Sequence, residues 1–267
     1  MGKIIAVSNQ KGGVGKTTTA INLGASLALA EKRILLVDMD PQGNLTSGVG
    51  LKEQAADAET IYEAITADLP ETPSAANEAP ILSTSVQNLF LIPANRNLAG
   101  AEIELVSMSQ REMRLRKLLE QLRDRYDFVM IDTPPSLGLL TVNALVAADA
   151  VLIPLHCEYF ALEGIADLVA TLRRVRSVLN PGLDIEGVLL TMHDERTNLG
   201  SQVAKDIRNF FQEKVFDTVI PRNVRLGEAP SHGMPVILYD VKSRGSEAYL
   251  ALARELLARE RAGAPAS

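Results

Sequence analysis

Short apolar runs alternate with longer amphipathic segments along almost the whole sequence, and this alternation limits the possible folds. The apolar runs are β-branched or leucine-rich and too short for helices, which is typical of buried parallel strands: KIIAVSN, RILLVD, LFLIPA, DFVMID, DAVLIPL and IEGVLLT. The intervening stretches predict helices at 17–31, 111–126, 137–147, 162–179, 199–211 and 246–262. The pattern predicts an α/β fold with a doubly wound, mainly parallel sheet and helices on both faces. Functional loops are expected at the carboxyl ends of the strands.

The organisation of the chain is that of one domain. Its 267 residues contain no internal repeat and no linker that would divide them. Residues 51–80 form a distinct acidic segment, in which we expect a short helix followed by a surface loop at 72–80. The last residues, 263–267, read GAPAS and are expected to be a frayed tail.

Composition excludes several classes of protein. The single cysteine, Cys157, excludes a disulfide framework and any cysteine-held metal cluster. His156, His193 and His232 are scattered, so they are interpreted as structural or surface residues. No uncharged apolar run of membrane-spanning length occurs, and the first residues lack the pattern of a signal peptide, so we expect a cytoplasmic protein.

The net charge of −6 does not decide whether nucleic acid is a partner. Residues 51–80 hold seven acidic residues and one basic residue, which accounts for a charge of −6 within that segment. The remainder of the chain is therefore neutral. A basic patch elsewhere on the surface is compatible with this distribution.

The stretch NQKGGVGKTTT, residues 9–19, carries the strongest chemical signal. Closely spaced glycines allow successive backbone N–H groups to converge on an anion, and the stretch lies between a predicted strand and a predicted helix. This is the arrangement of a P-loop, which predicts the fold of a P-loop NTPase. Gln10 stands where the usual pattern has its first glycine. We expect Lys16 to contact β- and γ-phosphate oxygens, Thr17 to bind Mg²⁺ and Thr18 to contact an α-phosphate oxygen.

Aspartates end two of the other predicted strands. Asp132 follows DFVMI in the manner of a Walker B aspartate, which holds Mg²⁺ through water, and Asp38 and Asp40 lie at the end of RILLVDMD. Each aspartate taken alone could equally be a helix cap or a turn former. Because these loops meet the phosphate loop at one edge of a doubly wound sheet, a nucleotide-hydrolysing site is favoured.

Six segments together resemble the ParA/Soj family of chromosome and plasmid partitioning ATPases, within the MinD/ParA group that has a deviant Walker A motif. The segments are KGGVGKTT, VDMDPQGN, IDTPPSLGLLTVNAL, CEYFALEG, LLTMHDERTNLG and VIPRNVRLGEAPSHGMPVILYD. The resemblance runs from about residue 2 to residue 257. It is weakest in residues 51–80, to which we transfer no functional role.

This resemblance implies roles for the site residues. ATP would hold two monomers face to face, and Lys11 would reach the partner's phosphates and stabilise transition-state charge. Asp40 would position the attacking water, and Pro221 and Asn223 would lie near the adenine. The remaining ATP-binding positions are Gly12, Gly13, Val14, Gly15, Lys16, Thr17 and Thr18.

The resemblance also implies partners. An ATP-bound homodimer would bind double-stranded DNA without sequence preference through Arg196 and Arg225, to which we add Arg222, Lys242 and Arg244. Taken alone, five bases with intervening acids are more often a solvated surface. A ParB/Spo0J-like protein with a basic N-terminal segment would stimulate hydrolysis, and the dimer would be associated with the nucleoid. We expect no helix-turn-helix extension before Met1 to Lys3, and therefore no repression of a specific operator by this protein.

Three alternatives share the phosphate loop. A nitrogenase-type reductase needs cluster-binding cysteines, which a single cysteine cannot supply. A MinD-like membrane-positioning ATPase needs an amphipathic C-terminal helix with bulky apolar residues, whereas YLALARELLARERAGAPAS is alanine-rich, and a helix packed on the domain is expected instead. A signalling switch that does not bind DNA remains a third possibility.

The segment Thr191-Met192-His193-Asp194 lacks the Asn-Lys of a GTPase, so ATP is favoured over GTP.

Overall fold

The computed structural model describes residues 1–67, 79–157, 161–193 and 198–263. Residues 72–78 of the loop predicted at 72–80, residues 158–160 of CEYFALEG, Asp194, Arg196 and residues 264–267 of the predicted tail lie outside the described residues.

The sheet has seven strands in the order β3-β4-β2-β5-β1-β6-β7. The strands are β1 (Lys3–Val7), β2 (Ile34–Asp38), β3 (Leu82–Ser83), β4 (Leu89–Ile92), β5 (Phe128–Asp132), β6 (Ala150–His156) and β7 (Asp184–Thr191). All neighbouring strands pair in parallel except β3, which pairs antiparallel with β4 at one edge. The predicted parallel sheet is thus confirmed, with one short additional strand.

Helices cover both faces of the sheet. They are α1 (Lys16–Leu29), α2 (Asn44–Gly48), α3 (Lys52–Ala56), α4 (Ile61–Thr66), α5 (Leu98–Glu104), α6 (Arg114–Glu120), α7 (Leu139–Ala147), α8 (Ala161–Val178), α9 (Asn198–Phe211), α10 (Val224–Glu228), α11 (Val236–Tyr239) and α12 (Arg244–Gly263). Successive strand residues point to opposite faces, so Ile4 and Ala6 of β1 pack with α4 to α9, whereas Ile5 and Val7 pack with α1 and α12.

The helix predicted at 111–126 is shorter than expected. Only Arg114–Glu120 is α-helical, and Arg123–Arg125 forms a separate 3₁₀ turn. Arg123 donates hydrogen bonds to the carbonyl of Gly2 and to Asp149 Oδ2, so tertiary contacts at the amino end of the sheet set the geometry there. The polar periodicity of the segment gave no sign of these contacts.

The C-terminal helix packs on the body of the protein, as predicted. Tyr249, Leu252 and Leu256 are buried, and the Tyr249 hydroxyl lies 3.1 Å from the Thr19 hydroxyl of α1. Among the described residues, no helix combines the length and the apolar character needed to cross a membrane.

Candidate nucleotide site

The phosphate loop connects β1 to α1 at the carboxyl edge of the sheet. Gly13 and Gly15 have φ values of 73° and 89°, a left-handed conformation that favours glycine. The loop is held from outside as well, because Thr191 at the end of β7 donates a hydrogen bond to the Val14 carbonyl at 2.9 Å. The loop geometry is therefore built into the fold, as the sequence predicts.

Lys16 is the first residue of α1 and is buried, with 7% of its surface exposed. Its ammonium group donates a hydrogen bond to the Lys11 carbonyl at 3.2 Å, across the loop. Burial lowers the pKa of Lys16, and the nearby charges of Asp132 and Asp40 oppose this shift. The arrangement presents a positive charge at the mouth of an anion-binding loop that opens a helix.

Asp132 ends β5 and is fully buried. Its Oδ2 accepts a hydrogen bond from the Thr17 hydroxyl at 2.7 Å, whereas its Oδ1 is buried without a hydrogen-bond partner. Burial, reinforced by the charge of Asp38, raises the pKa of Asp132 well above its ordinary value. A hydroxyl and a carboxylate with an open oxygen are hard oxygen donors, which suit Mg²⁺ and its bound water.

The two aspartates after β2 have different surroundings. Asp38 is fully buried, and its oxygens accept hydrogen bonds from the Asp40 N–H, the Thr46 N–H and the Thr46 hydroxyl. It is a turn former, which was one of the two interpretations left open by the sequence. Burial raises the pKa of Asp38 to about 6. Asp40 is 8% exposed and faces the cleft, with its Oδ1 accepting from the Gln42 N–H at 2.9 Å.

A cleft of about 620 Å³ opens above these groups. Seven of the predicted residues line it: Gly12, Gly13, Gly15, Lys16, Thr17, Thr18 and Asp40. Its walls also include residues that sequence reasoning did not select: Ile21, Gln42, Asn44, Ser47, Gly48, Pro135, Met192, Leu226, Gly227, Pro230 and Ser231. Several of these residues belong to the segment VIPRNVRLGEAPSHGMPVILYD. The resemblance of that segment to the family was the sequence signal that could have identified them.

Four predicted nucleotide residues are not among those lining the cleft, and each has a backbone or capping contact instead. The Lys11 N–H donates to Asn9 Oδ1 at 3.0 Å, and the Val14 carbonyl accepts from Thr191. Pro221 forms a parallel β-bridge with His193, and Asn223 caps α10 by accepting from the Arg225 N–H. Pro221 and Asn223 remain predictions as residues near the adenine.

The basic residues predicted to bind DNA lie around α10, α11 and the start of α12. Arg222, Arg225, Lys242 and Arg244 are exposed. Arg225 forms ion pairs with Glu228 at 2.7 Å and with Asp240 at 3.3 Å, which brings it close to the segment that carries Lys242 and Arg244. We call Arg222, Arg225, Lys242 and Arg244 the basic surface.

The nucleotide side and the segment that carries the basic surface are in direct contact. Asn22 of α1 is 2% exposed; its Nδ2 donates to the Thr18 carbonyl and its Oδ1 accepts from the Val236 N–H of α11. Gly50 and Gly233, both with positive φ, approach each other so closely that a Cβ on either would lie 2.7 Å from backbone atoms of the other. The turn after α2 is thereby packed against the turn before α11.

A glycine-rich loop between a central strand and a helix, a lysine at its end and strand-end aspartates beside it define a P-loop nucleoside triphosphatase. Comparison with known proteins identifies the family within this class of enzymes. The profile of the AAA domain matches residues 2–185. The sporulation initiation inhibitor protein Soj of Bacillus subtilis is 58% identical over 259 residues, covering 97% of this chain and 99% of that protein.

The chromosome partitioning protein ParA of Myxococcus xanthus is 55% identical and covers 99% of this chain and 91% of its own length. A solved structure from Mycobacterium smegmatis, described as cobyrinic acid a,c-diamide synthase with bound ADP and magnesium, is 37% identical, has a TM-score of 0.82 and covers 99% of this chain and 97% of its own. The chain belongs to the ParA/Soj family of chromosome-partitioning ATPases.

Proposed function

We propose that this protein hydrolyses ATP in the cleft above the phosphate loop and uses the ATP-bound state to bind DNA as a homodimer. The observation that carries the proposal is the placement of Lys16, Thr17 and Asp40 on one cleft beside a left-handed glycine loop, with the buried Asp132 hydrogen-bonded to Thr17. The ADP and magnesium named for the Mycobacterium smegmatis structure support the same ligands here.

Each group around the cleft has a chemical task in this proposal. The loop N–H groups and Lys16 bind the phosphate chain and stabilise the charge that develops on the transferred phosphoryl group. Thr17 and Asp132 would hold Mg²⁺, Asp132 through a water at its open Oδ1. When bound, Mg²⁺ neutralises charge on the phosphate oxygens. Asp40 orients the attacking water, a task suited to a carboxylate that faces the cleft.

The dimer is proposed because of Lys11. It belongs to the phosphate loop, in which its N–H and its carbonyl take part in hydrogen bonds. By the family resemblance, its side chain serves the partner's phosphates. Hydrolysis would then open the dimer and release DNA, and a ParB/Spo0J-like protein would stimulate this step.

The DNA partner is proposed from the basic surface. A dimer that makes about six phosphate contacts should lose affinity with a log–log salt slope near −5. The names of the relatives favour partitioning over membrane positioning. The apolar side of α12 is buried against α1, so within the described residues this helix does not present that side to a lipid surface.

Sizing and DNA binding with and without ATP test the proposal. Wild type should be a monomer without ATP and a DNA-bound dimer with ATP. Asp40→Ala should bind ATP but hydrolyse it much more slowly than wild type, and therefore accumulate as a dimer on DNA, whereas Lys11→Ala should bind ATP and remain monomeric. An Asp40→Ala variant that stays monomeric with ATP would show that the switch mechanism is wrong. ATP-dependent co-sedimentation with lipid vesicles, in place of DNA, would instead support the membrane alternative.

A further inference from the structure

Asp40 needs a fixed position if it is to orient water, yet it lies on a loop outside any strand or helix. β2 ends at Asp38 and α2 begins at Asn44, so the segment from 39 to 43 contains no regular backbone hydrogen bonding of its own. Its internal contacts are local: the Gly43 N–H donates to the Asp40 carbonyl, and the Gln42 N–H donates to Asp40 Oδ1. These bonds shape the turn, and the Met39 N–H attaches its first residue to the sheet by donating to the Asp132 carbonyl at 2.9 Å.

At Asp40 itself, the attachment comes from Asp38. Its Oδ1 accepts the backbone N–H of Asp40 at 3.1 Å, so this carboxylate fixes the backbone at Asp40. Its Oδ2 is held by two donors from Thr46, the N–H at 2.9 Å and the hydroxyl at 2.7 Å. Asp38 has no exposed surface, and a buried carboxylate requires such donors because nothing else replaces its hydration.

Thr46 connects this carboxylate to a third element. Its hydroxyl accepts the Ala94 N–H at 3.0 Å, just beyond the end of β4, while it donates to Asp38. Thr46 is 2% exposed, so water does not compete for these bonds. A single hydroxyl therefore joins the end of β2, the helix α2 and the end of β4.

We propose that Thr46 is a positioning residue for Asp40: through Asp38 it holds the water-orienting carboxylate at the place in the cleft where hydrolysis occurs. This inference rests on the proposed function and adds a residue outside the phosphate loop and the cleft lining. The Thr46 side chain does not line the cleft. Its effect passes through the Asp38 carboxylate to the backbone N–H of Asp40.

The test separates positioning from a general structural role. Thr46→Val removes the hydroxyl at nearly constant volume, and Thr46→Ser keeps it. Thr60→Val is a matched control, because the Thr60 hydroxyl also donates to a carboxylate, Glu63, at 2.7 Å and also accepts a backbone N–H, that of Tyr62, at 3.3 Å. Thr60 is likewise buried, but it caps α4 away from the cleft.

ATP turnover and ATP affinity are measured for all three variants and for Asp40→Ala. Misplacement of a catalytic group by about 1 Å costs about 100-fold, so Thr46→Val should lose at least about tenfold in kcat while its ATP affinity stays near wild type. Thr46→Ser should restore turnover, and Thr60→Val should lower the unfolding midpoint without lowering kcat. In an Asp40→Ala background, Thr46→Val should reduce turnover no further.

The inference is overturned if Thr46→Val keeps wild-type turnover, if it loses ATP binding together with turnover, or if Thr46→Ser fails to restore activity. It is also overturned if the effects of Thr46→Val and Asp40→Ala multiply. Wild type and Asp40→Ala serve as separate references for the proposed function. If wild type does not hydrolyse ATP, the proposed function fails, and if it does while Thr46→Val behaves like Thr60→Val, only the positioning role fails.

Discussion

The phosphate loop and the basic surface lie on neighbouring parts of the protein, but they differ in how their functional groups are held. In the loop, Lys16 and Thr17 are fixed by buried or half-buried hydrogen bonds to Lys11 and Asp132. On the basic surface, Arg225 is half exposed and its charge is balanced by Glu228 and Asp240. The loop is an anion site that exists before its ligand arrives, whereas the arginine would have to exchange its carboxylate partners for phosphates.

This difference predicts that substitutions in the loop have large effects on nucleotide chemistry, whereas those on the basic surface have small, salt-dependent effects. Removal of one preorganised electrostatic group costs about 100- to 1000-fold in turnover, so Lys16→Ala should lose at least about 100-fold. Nucleotide titration and single-turnover hydrolysis measure the effect. Lys32→Ala is the control, since Lys32 lies beyond the far end of α1 and pairs with Asp127. Similar losses in both variants would contradict the assignment of Lys16.

A pair of glycine substitutions makes the second comparison. Gly15→Ala places a side chain at φ 89°, where an L residue is strained by about 1–2 kcal/mol, although space for the Cβ is available. Gly227→Ala lies in α10, where nothing lies within 4 Å of the new Cβ, and should be neutral or stabilising by about 0.5–1 kcal/mol. Urea unfolding without nucleotide measures both. Equal destabilisation would show that the loop stores no conformational constraint.

The smallest effect is expected at Arg225. Arg225→Ala removes one phosphate contact per protomer, so the salt slope of DNA binding should weaken by about one for each subunit. Nucleotide affinity should not change. Arg116→Ala is the matched control, since Arg116 pairs with Glu120 on a helix of the opposite face. An unchanged slope in Arg225→Ala would remove this arginine from the proposed DNA contacts.

The sequence predicted the strands and the backbone of the phosphate loop better than the side-chain contacts that surround the loop. The six predicted strands are present because each is an apolar run that the buried sheet requires. The loop was predictable because glycine spacing directly encodes left-handed backbone. The bond from Thr191 to Val14, the Asp38–Thr46 pair and the cleft wall at Met192 and Leu226 could not be derived, because they depend on which distant segments the fold brings together.

Charge gave the least structural information. Arg225 was selected for its sign and by resemblance, but its partners Glu228 and Asp240 decide how available that charge is. Composition does not reveal that residues three and fifteen positions further along the chain form ion pairs with Arg225. Strand-end aspartates were similarly ambiguous, and only their hydrogen bonds separate Asp38, a turn former, from Asp40, which faces the cleft.

The strand order has a consequence for how the protein is made. β1, which leads into the phosphate loop, pairs with β5 and β6. Lys3 can therefore pair only after Phe128 has been synthesised, and Ile5 can pair with β6 only after Ala150. At about 5–20 residues per second, the ribosome needs on the order of ten seconds to supply these neighbours. Thr191, which holds the loop, and Tyr249, which packs on α1, follow later still. The phosphate loop is therefore synthesised well before the segments that hold it in place.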